Sequence, residues 1–342
     1  MRKGSAPTLG EVAKRAEVST TTASRVINGG ARVDPQTLER VQRVIEELGY
    51  TPNQAARVLK GDRTRTIGLL IPSIADPFFS SLAEAAQVVV RANDSLLMVA
   101  TSQNEPQIEV ESLKVLIQHR VDGVILAPAN SKSQILANML NRLSIPLVAL
   151  DRPVDNSQVS SVVTDNFSAS RDAVTHLIEH GYKRIVCLTG ESTIYTIQER
   201  MRGYQEALKA ASLPILLDTS IRDYRSAEHA IEGLLKSGKA PDALFTLKNS
   251  TTVFAFEALQ KFGIDIPRQV ALLGFDDFEL AATLRPSISV VRQPVEEIGR
   301  AAAELLFEQY IVDPLRNKQR KFTPRQLVLE SRIIRRSSCG CT

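Results

Sequence analysis

With 342 residues, 43% of them hydrophobic and none of them tryptophan, the chain is too long for one small domain and can bury more than one core. No apolar run approaches the ~18 residues that a membrane span needs. The first residues, MRKGSAPTLGEVAKR, carry positive charge with no apolar stretch behind it, so no secretory leader and a cytoplasmic location are expected. The net charge of +4 is unevenly placed: residues 1–65 hold 12 lysines and arginines against 7 acids, whereas residues 66–342 hold 30 against 31. A basic surplus confined to one segment is the electrostatic footprint of a nucleic-acid contact.

That segment has legible punctuation. Thr8 with Glu11 three residues on is a capping-box signature opening a first short helix. Ser19 can cap a second helix, which Asn28-Gly29-Gly30 stops. Asp34-Pro35 opens a third, with Leu38, Val41, Ile45 and Leu48 at helical spacing, and Gly49 closes it. Two short helices joined by a tight turn, with a third behind, is the helix-turn-helix pattern. The run NQAARVLKG (53–61) favours helix but spans only about two turns, which is marginal in water. It is expected to fold when something packs on it. Residues 62–65 read as a linker.

From Thr66 the texture changes to short apolar runs, each followed by a longer helical pattern. The runs are TIGLLIP (66–72), SLLMVAT (95–101), DGVILAP (122–128) and IPLVALD (145–151). A second series is SVVT (161–164), RIVCLTG (184–190), DALFTL (242–247) and VALLGFDD (270–277). Helical periodicity fills 78–92, 107–120, 166–180, 197–211, 225–237, 251–262 and 295–310. Such alternation predicts parallel sheets covered by helices, and the break near 152–165 predicts two α/β lobes. LVLES, in a basic tail, reads as a final strand.

Ligands of open α/β sheets bind beyond the carboxyl ends of the strands. Here those ends carry Asp76-Pro77-Phe78-Phe79, Asp151-Arg152, a polar loop leading to Arg200, Lys248-Asn249 and Asp276-Asp277. A polar cleft between the lobes is therefore expected. Asp76, Asp277 and Asn249 fit helix caps as well as they fit a ligand. Asp151, Arg200 and Asp276 are read as ligand groups.

Catalytic patterns are missing: there is no GxxxxGK[ST], no GxGxxG after a strand and no GxSxG. His176-Leu177-Ile178-Glu179-His180 fits H-x-x-E-H, but it falls in the last turn of a helix ended by Gly181, where histidine suits the helix dipole. Cys187 reads as a core residue. Cys339 and Cys341 supply only two ligands, too few to close a four-coordinate zinc, so they are taken as an inert or oxidation-prone tail. Neither a metal, a cofactor nor an enzyme activity is expected.

The assembled residues resemble the lactose-repressor (LacI/GalR) family of bacterial transcription regulators. The markers are T-L-x-E-V-A-x-x-A-x-V-S-x-x-T-x-S-R-V-I-N in 8–28, L-G-Y-x-P-N-x-x-A-R-x-L in 48–59, IGLLIP, D-P-F-F, and GFDD followed by Gln293-Pro294. The resemblance implies a small all-α helix-turn-helix headpiece (1–52), a hinge helix and linker (53–65), and a periplasmic-binding-protein-like core of two parallel sheets with helices on both faces (66–342). Its N-lobe would comprise about 66–162 plus 293–325, and its C-lobe about 163–292 plus 326–342.

On this resemblance Thr20, Thr21 and Arg25 meet base edges in the major groove. Thr8, Thr22, Ser24, Asn28, Tyr50 and Asn53 hold phosphates, which fix register. Leu59 is the wedge that kinks the minor groove, and Ala56 lets paired hinge helices approach. Glu17 stands where the family has glycine, at a turn that favours a left-handed backbone. Phe78, Phe79, Asp151, Arg200, Asp276 and Gln293 fall on effector-contacting positions. Lys248 departs from the relatives, and a buried lysine there favours an anionic effector, a sugar acid or sugar phosphate over a neutral sugar. The implied partners are a pseudo-palindromic double-stranded DNA operator, a small-molecule effector and a second copy of the chain, as a homodimer or a tetramer built from it, with no membrane. The implied function is a repressor of carbohydrate or related metabolic genes. The alternatives are a catabolite-type regulator with a phosphoprotein coeffector and a sugar receptor that binds no DNA.

Overall fold

The computed structural model describes residues 7–27, 33–51, 63–155, 158–190, 192–238, 240–309 and 323–341. It divides the chain into two compact units between Thr64 and Arg65. Asn28, the helix-forming run 53–61 and, within that run, Asn53, Ala56 and Leu59 lie outside the described residues.

The first unit contains α1 (Leu9–Arg15), α2 (Thr20–Ile27) and α3 (Pro35–Leu48). Each start is satisfied by the side chain that its sequence signals. Thr8 Oγ1 accepts the Glu11 N–H at 3.3 Å while the Glu11 carboxylate accepts the Thr8 N–H at 2.7 Å. Ser19 Oγ accepts the Thr22 N–H at 3.1 Å, and Asp34 accepts that of Thr37 at 3.0 Å. Gly49 ends α3 in the left-handed conformation, φ +58°. The core joins Val12, Ala13, Ala16, Ala23, Val26, Val41 and Val44. On α3 the buried seam is Val41 and Val44, with Ile45 and Leu48 half-covered, while Leu38, one turn earlier, is exposed. Arg40 Nε reaches back to the Ala16 carbonyl at 2.9 Å, tying α3 to the end of α1.

The second unit is built on two six-stranded sheets. The first contains β1 (Thr66–Ile71), β2 (Leu96–Thr101), β3 (Gly123–Leu126), β4 (Leu147–Leu150), β5 (Ser160–Thr164) and, from far along the chain, β11 (Gln326–Leu329). Its order is β11-β5-β4-β3-β1-β2, with every pairing parallel. The second contains β6 (Ile185–Leu188), β7 (Leu216–Asp218), β8 (Ala243–Thr246), β9 (Ala271–Phe275), β10 (Ser289–Arg292) and β12 (Arg332–Ile334). Its order, β12-β10-β9-β8-β6-β7, repeats the first strand for strand, except that β12 runs antiparallel to β10. No repeat was visible in the residues themselves.

Helices cover both faces of each sheet, so the inner strands are mostly apolar. On one face of the first sheet, Ile67, Leu69, Ile71, Val148 and Leu150 pack against α4 (Pro77–Ala92) and α11 (Val295–Glu308). On the other, Leu70, Val124, Leu126 and Ala149 meet α5 (Pro106–Gln118) and α6 (Gln134–Leu140). The second sheet packs likewise between α7 (Asn166–Glu179) with α8 (Tyr195–Ala210) and α9 (Tyr224–Lys236) with α10 (Asn249–Lys261). α7 and α8 cross closely: a Cβ on Gly203 would lie 2.2 Å from the Phe167 carbonyl oxygen.

Two expected strand assignments change. SVVT, grouped by its texture with the second series, pairs with β4, Ser160 opposite Val148, and belongs to the first sheet. LVLES was assigned to the second lobe, but Gln326 pairs with Ser161 in the first, and the final strand is β12. The lobe boundary drawn at 326 therefore moves to the crossing between Leu329 and Arg332. A short apolar run does not carry its pairing partner in its own residues, because the partner is chosen by long-range packing. A last turn, Ser337–Cys339, brings Cys339 and Cys341 against His176 and His180 of α7. The sequence reading had kept those two motifs apart.

Candidate functional site

On the first unit the candidate surface is the outer face of α2. Ala23 and Val26 are buried, which turns Thr20, Thr21 and Arg25 to solvent on the opposite side. Thr22 and Ser24 are half-buried, and the Thr22 hydroxyl lies 2.9 Å from Ser19 Oγ, within the helix cap. Thr8 is exposed beside Glu11, and Tyr50 lies partly buried against the core. Glu17, at the turn into α2, has φ +53° and is exposed.

On the second unit, Phe78, Phe79, Asp151, Arg200, Lys248, Asp276 and Gln293 all line one cleft of about 560 Å³ between the lobes. Strand ends position them. Asp151 follows β4 and Asp276 follows β9, the equivalent strand of the other sheet, and both are left-handed, with φ +64° and +69°. Strained backbone of this kind gathers at ligand sites, and here it turns two carboxylates into the cleft from opposite lobes. Phe78 and Phe79, in the first turn of α4, meet edge to face with ring centroids 5.0 Å apart.

Polar contacts connect these groups. Arg200, 3% exposed, donates to Asn166 Oδ1 at 2.7 Å, the Leu247 carbonyl at 2.7 Å and Asp276 Oδ2 at 3.2 Å, with its guanidinium 3.7 Å above the Phe275 ring. Gln293 Nε2 donates to Asp276 Oδ1 at 2.5 Å, and Thr164 donates to Gln293 Oε1 at 2.6 Å. In the first lobe Arg152 binds Asp151 at 3.0 Å, Asn104 at 2.8 Å and the Pro128 carbonyl at 3.0 Å. Burial pushes the Asp151 carboxyl above its usual range, with Arg152 and Arg200 opposing.

Lys248 differs from the expectation. It is about one-third exposed rather than buried, and its Nζ lies 3.4 Å from Asp76 Oδ2. Its charge is already met across the cleft, which removes the ground for expecting an anionic effector. Asp76 both caps α4, accepting the Phe78 N–H at 3.1 Å, and makes this interlobe pair. Asp277 is structural: Arg336 and Arg292 grip its carboxylate, and their hydrogen bonds outweigh burial to hold its pKa below the usual value. Arg152 was placed at a strand end from sequence but given no ligand role, and Asn166 and Thr164 were not singled out, although each stands at or just beyond the carboxyl end of a strand.

A helix-turn-helix unit with an exposed polar face, joined in one chain to a two-lobed α/β core enclosing a polar cleft, defines a DNA-binding regulator with a ligand-binding core. The family model described as "Bacterial regulatory proteins, lacI family" matches residues 8–53. That described as "Periplasmic binding proteins and sugar binding domain of LacI family" matches residues 64–330. The chain belongs to the LacI family of bacterial transcription regulators. Among its relatives, the ribose operon repressor of Haemophilus influenzae is 32% identical over 97% of this chain and 98% of its own. The transcriptional regulator CelR of Thermobifida fusca is 35% identical over 99% and 100%. A solved CelR–cellobiose complex superposes with a TM-score of 0.70 at 34% identity, covering 97% of this chain and 99% of that one. The lac repressor dimer bound to operator and anti-inducer shares the fold, with a TM-score of 0.87 at 22% identity over 98% and 100%. No described helix is long and apolar enough to cross a membrane.

Proposed function

We propose that this chain is a cytoplasmic repressor of carbohydrate-use genes that acts by binding alone. A homodimer reads a pseudo-palindromic operator, and a neutral sugar in the interlobe cleft changes its hold on that operator. The base contacts are assigned to Thr20, Thr21 and Arg25. Thr8, Thr22, Ser24, Asn28, Tyr50 and Asn53 take phosphate contacts, and Ala56 and Leu59 the hinge. The domain limits follow the sequence reading, with the lobe boundary moved as above.

One observation carries the ligand class: the cleft's carboxylates are paired with its cations. Asp151 holds Arg152, Asp276 holds Arg200 and Asp76 holds Lys248. Paired groups of this kind offer charge-assisted hydrogen bonds to hydroxyls, and Arg222, which also lines the cleft, donates to the carbonyls of Thr219 and Ile221. Phe78 and Phe79 add an apolar wall for a sugar ring. CelR, solved with cellobiose, is a relative whose ligand is a neutral sugar. The dimer reading rests on the edge strand β2, whose Leu96 and Val99 are exposed beside Val88 of α4 and Val115 of α5. An apolar stripe of this sort marks an interaction surface.

The test is a thermal-shift screen of the full chain against neutral mono- and disaccharides, sugar acids and sugar phosphates. A neutral saccharide is expected to raise Tm with concentration and to change the affinity for DNA selected by the protein from a random library. Stabilisation only by acidic sugars, abolished in Lys248→Met, would overturn the neutral-ligand reading. DNA affinity that does not fall with rising salt would overturn the phosphate contacts.

A further inference from the structure

The structure brings together four metal-ligating side chains from two segments far apart in sequence. His176 and His180 lie one turn apart on α7, so their imidazoles project from the same face. Their rings meet edge to face at 4.6 Å. Against them comes the end of the chain. Cys341 Sγ lies 3.5 Å from His176 Nε2 and 3.4 Å from His180 Nε2, and the donor atoms of these three residues all lie within 4.8 Å of one another. Cys339 Sγ lies 3.4 Å from His176 Nε2 but outside this close-set trio.

These separations have a meaning in coordination chemistry. A tetrahedral zinc with Zn–S near 2.3 Å and Zn–N near 2.0–2.1 Å sets neighbouring sulfur and nitrogen atoms about 3.5 Å apart. We propose that His176, His180, Cys339 and Cys341 form a structural zinc site that staples the C-terminal turn to α7.

The surroundings are built to hold the cysteines. Ser338 Oγ donates to the Leu272 carbonyl at 2.6 Å and accepts the Ser289 N–H at 2.8 Å, which seats the turn on the second sheet. Ser289 Oγ lies 3.1 Å from Cys339 Sγ and 2.9 Å from the Arg336 carbonyl, which compete for its single proton; turned to the sulfur, it is the kind of outer contact that steadies a thiolate ligand. Gly340 turns the chain between the cysteines at φ +93°. A Cβ there would lie 2.9 Å from Tyr182 Oη, so a larger residue would have to push that side chain aside as well as adopt a backbone that favours glycine. Cys339 is fully buried, yet it faces a histidine ring and a hydroxyl rather than only carbon. Zinc takes its cysteine ligands as thiolates, so binding displaces their protons and zinc affinity rises with pH.

His176, His180 and Cys341 are the close-set donors, and Cys339, drawn in from beside His176, completes the four protein ligands that mark a structural rather than a catalytic zinc. It lies on the helix pair α7–α8, whose other residues, Asn166 and Arg200, line or brace the ligand cleft. The staple thus steadies the wall of the cleft without touching it.

The experiment measures metal in the full chain, purified under reducing conditions from zinc-supplemented medium. About one zinc per chain is expected. Cobalt in its place should give the visible bands of a tetrahedral site and a near-ultraviolet thiolate charge-transfer band. His180→Gln, at an exposed position that leaves the core intact, should lose the metal. The pair Cys339→Ser with Cys341→Ser should lose both the metal and the thiolate band. Chelation should lower the wild-type Tm to that of chelator-treated His180→Gln, which separates loss of metal from loss of fold. A reduced, folded chain that takes up neither zinc nor cobalt would overturn the proposal, as would zinc retained by the double cysteine variant. In either case the four side chains would be joined only by thiol–imidazole hydrogen bonds.

Discussion

Glu109 sits wholly inside the first lobe, with one carboxylate oxygen accepting the Ala129 N–H at 2.6 Å and the other unpartnered. Burial raises its pKa from 4.5 to about 7, with the Ala129 N–H and Arg152 opposing. Between those values the folded chain keeps a proton that the unfolded chain gives up. The stabilising contribution is therefore complete below the unfolded pKa and is lost as pH rises through the folded one. Over the whole interval this amounts to roughly 3 kcal/mol. Glu109→Gln keeps the shape and removes the ionisation. Urea titrations from about pH 5 to about pH 8 should show a flatter stability profile for the variant, with a gain of roughly 1–3 kcal/mol at the alkaline end. An unchanged slope would mean that the buried carboxyl costs nothing to ionise. This residue was not visible in the sequence: it lies on a helix at an ordinary position, and only the packing of the loop after β3 over it makes it unusual.

At the scale of the element, the α1–α2 turn rests on Glu17 at φ +53°. A non-glycine residue there costs about 1–2 kcal/mol, offset in part because glycine adds freedom to the unfolded chain. Glu17→Gly should raise headpiece stability by about 0.5–1 kcal/mol and, by removing an anion near phosphate, tighten DNA binding most at low salt. Differential scanning calorimetry and anisotropy titrations at two salt concentrations would check both parts. A headpiece made less stable by glycine would show that the Glu17 side chain holds the turn. Helix ends such as this were legible because capping is local: Thr8, Ser19, Asp34 and Gly49 satisfy backbone groups within four residues of themselves. Sheet membership is not local. SVVT and LVLES were recognised as strands and still put in the wrong sheet, since the residues that decide their pairing lie far along the chain. The cleft was legible for a different reason. Parallel sheets present their carboxyl ends together, so topology alone places Asp151, Lys248, Asp276 and Gln293, one or two positions past a strand; Phe78, Phe79 and Arg200, on helices that follow, meet them in the same cleft. What topology could not give was their partners. Lys248 was read as buried and unpaired because Asp76 stands on the opposite lobe.

For the molecule as a whole, the Asp76–Lys248 pair is the contact that spans the lobes between two helix N-termini. Being partly exposed, it contributes at most about 1 kcal/mol. Asp76→Asn retains a side chain able to cap α4 while deleting the charge. Small-angle scattering of the unliganded variant should show a larger radius of gyration, and ligand affinity should weaken by no more than about fivefold. Exchanging the two residues, Asp76→Lys with Lys248→Asp, should restore the wild-type radius. Identical scattering from the single variant and wild type would mean that the pair does not bias closure.

Among the described residues the chain passes between the lobes three times, through Asp165, through Gln293-Pro294 and through Glu330-Ser331. The passages lie side by side: Thr164 binds Gln293 at 2.6 Å, and the Asp165 N–H reaches the Leu329 carbonyl at 3.3 Å. Three adjacent pins leave two bodies one easy rotation and block sliding between them. Leverage then depends on the distance from the axis. Gln293 sits on the axis, so a ligand contact there exerts almost no torque, however strong the bond. Asp76 follows β1, three strands and about 14 Å from β5. A hydroxyl held there works on a long arm, and a sugar that reaches it turns the lobes further than a smaller one bound just as tightly near the pins.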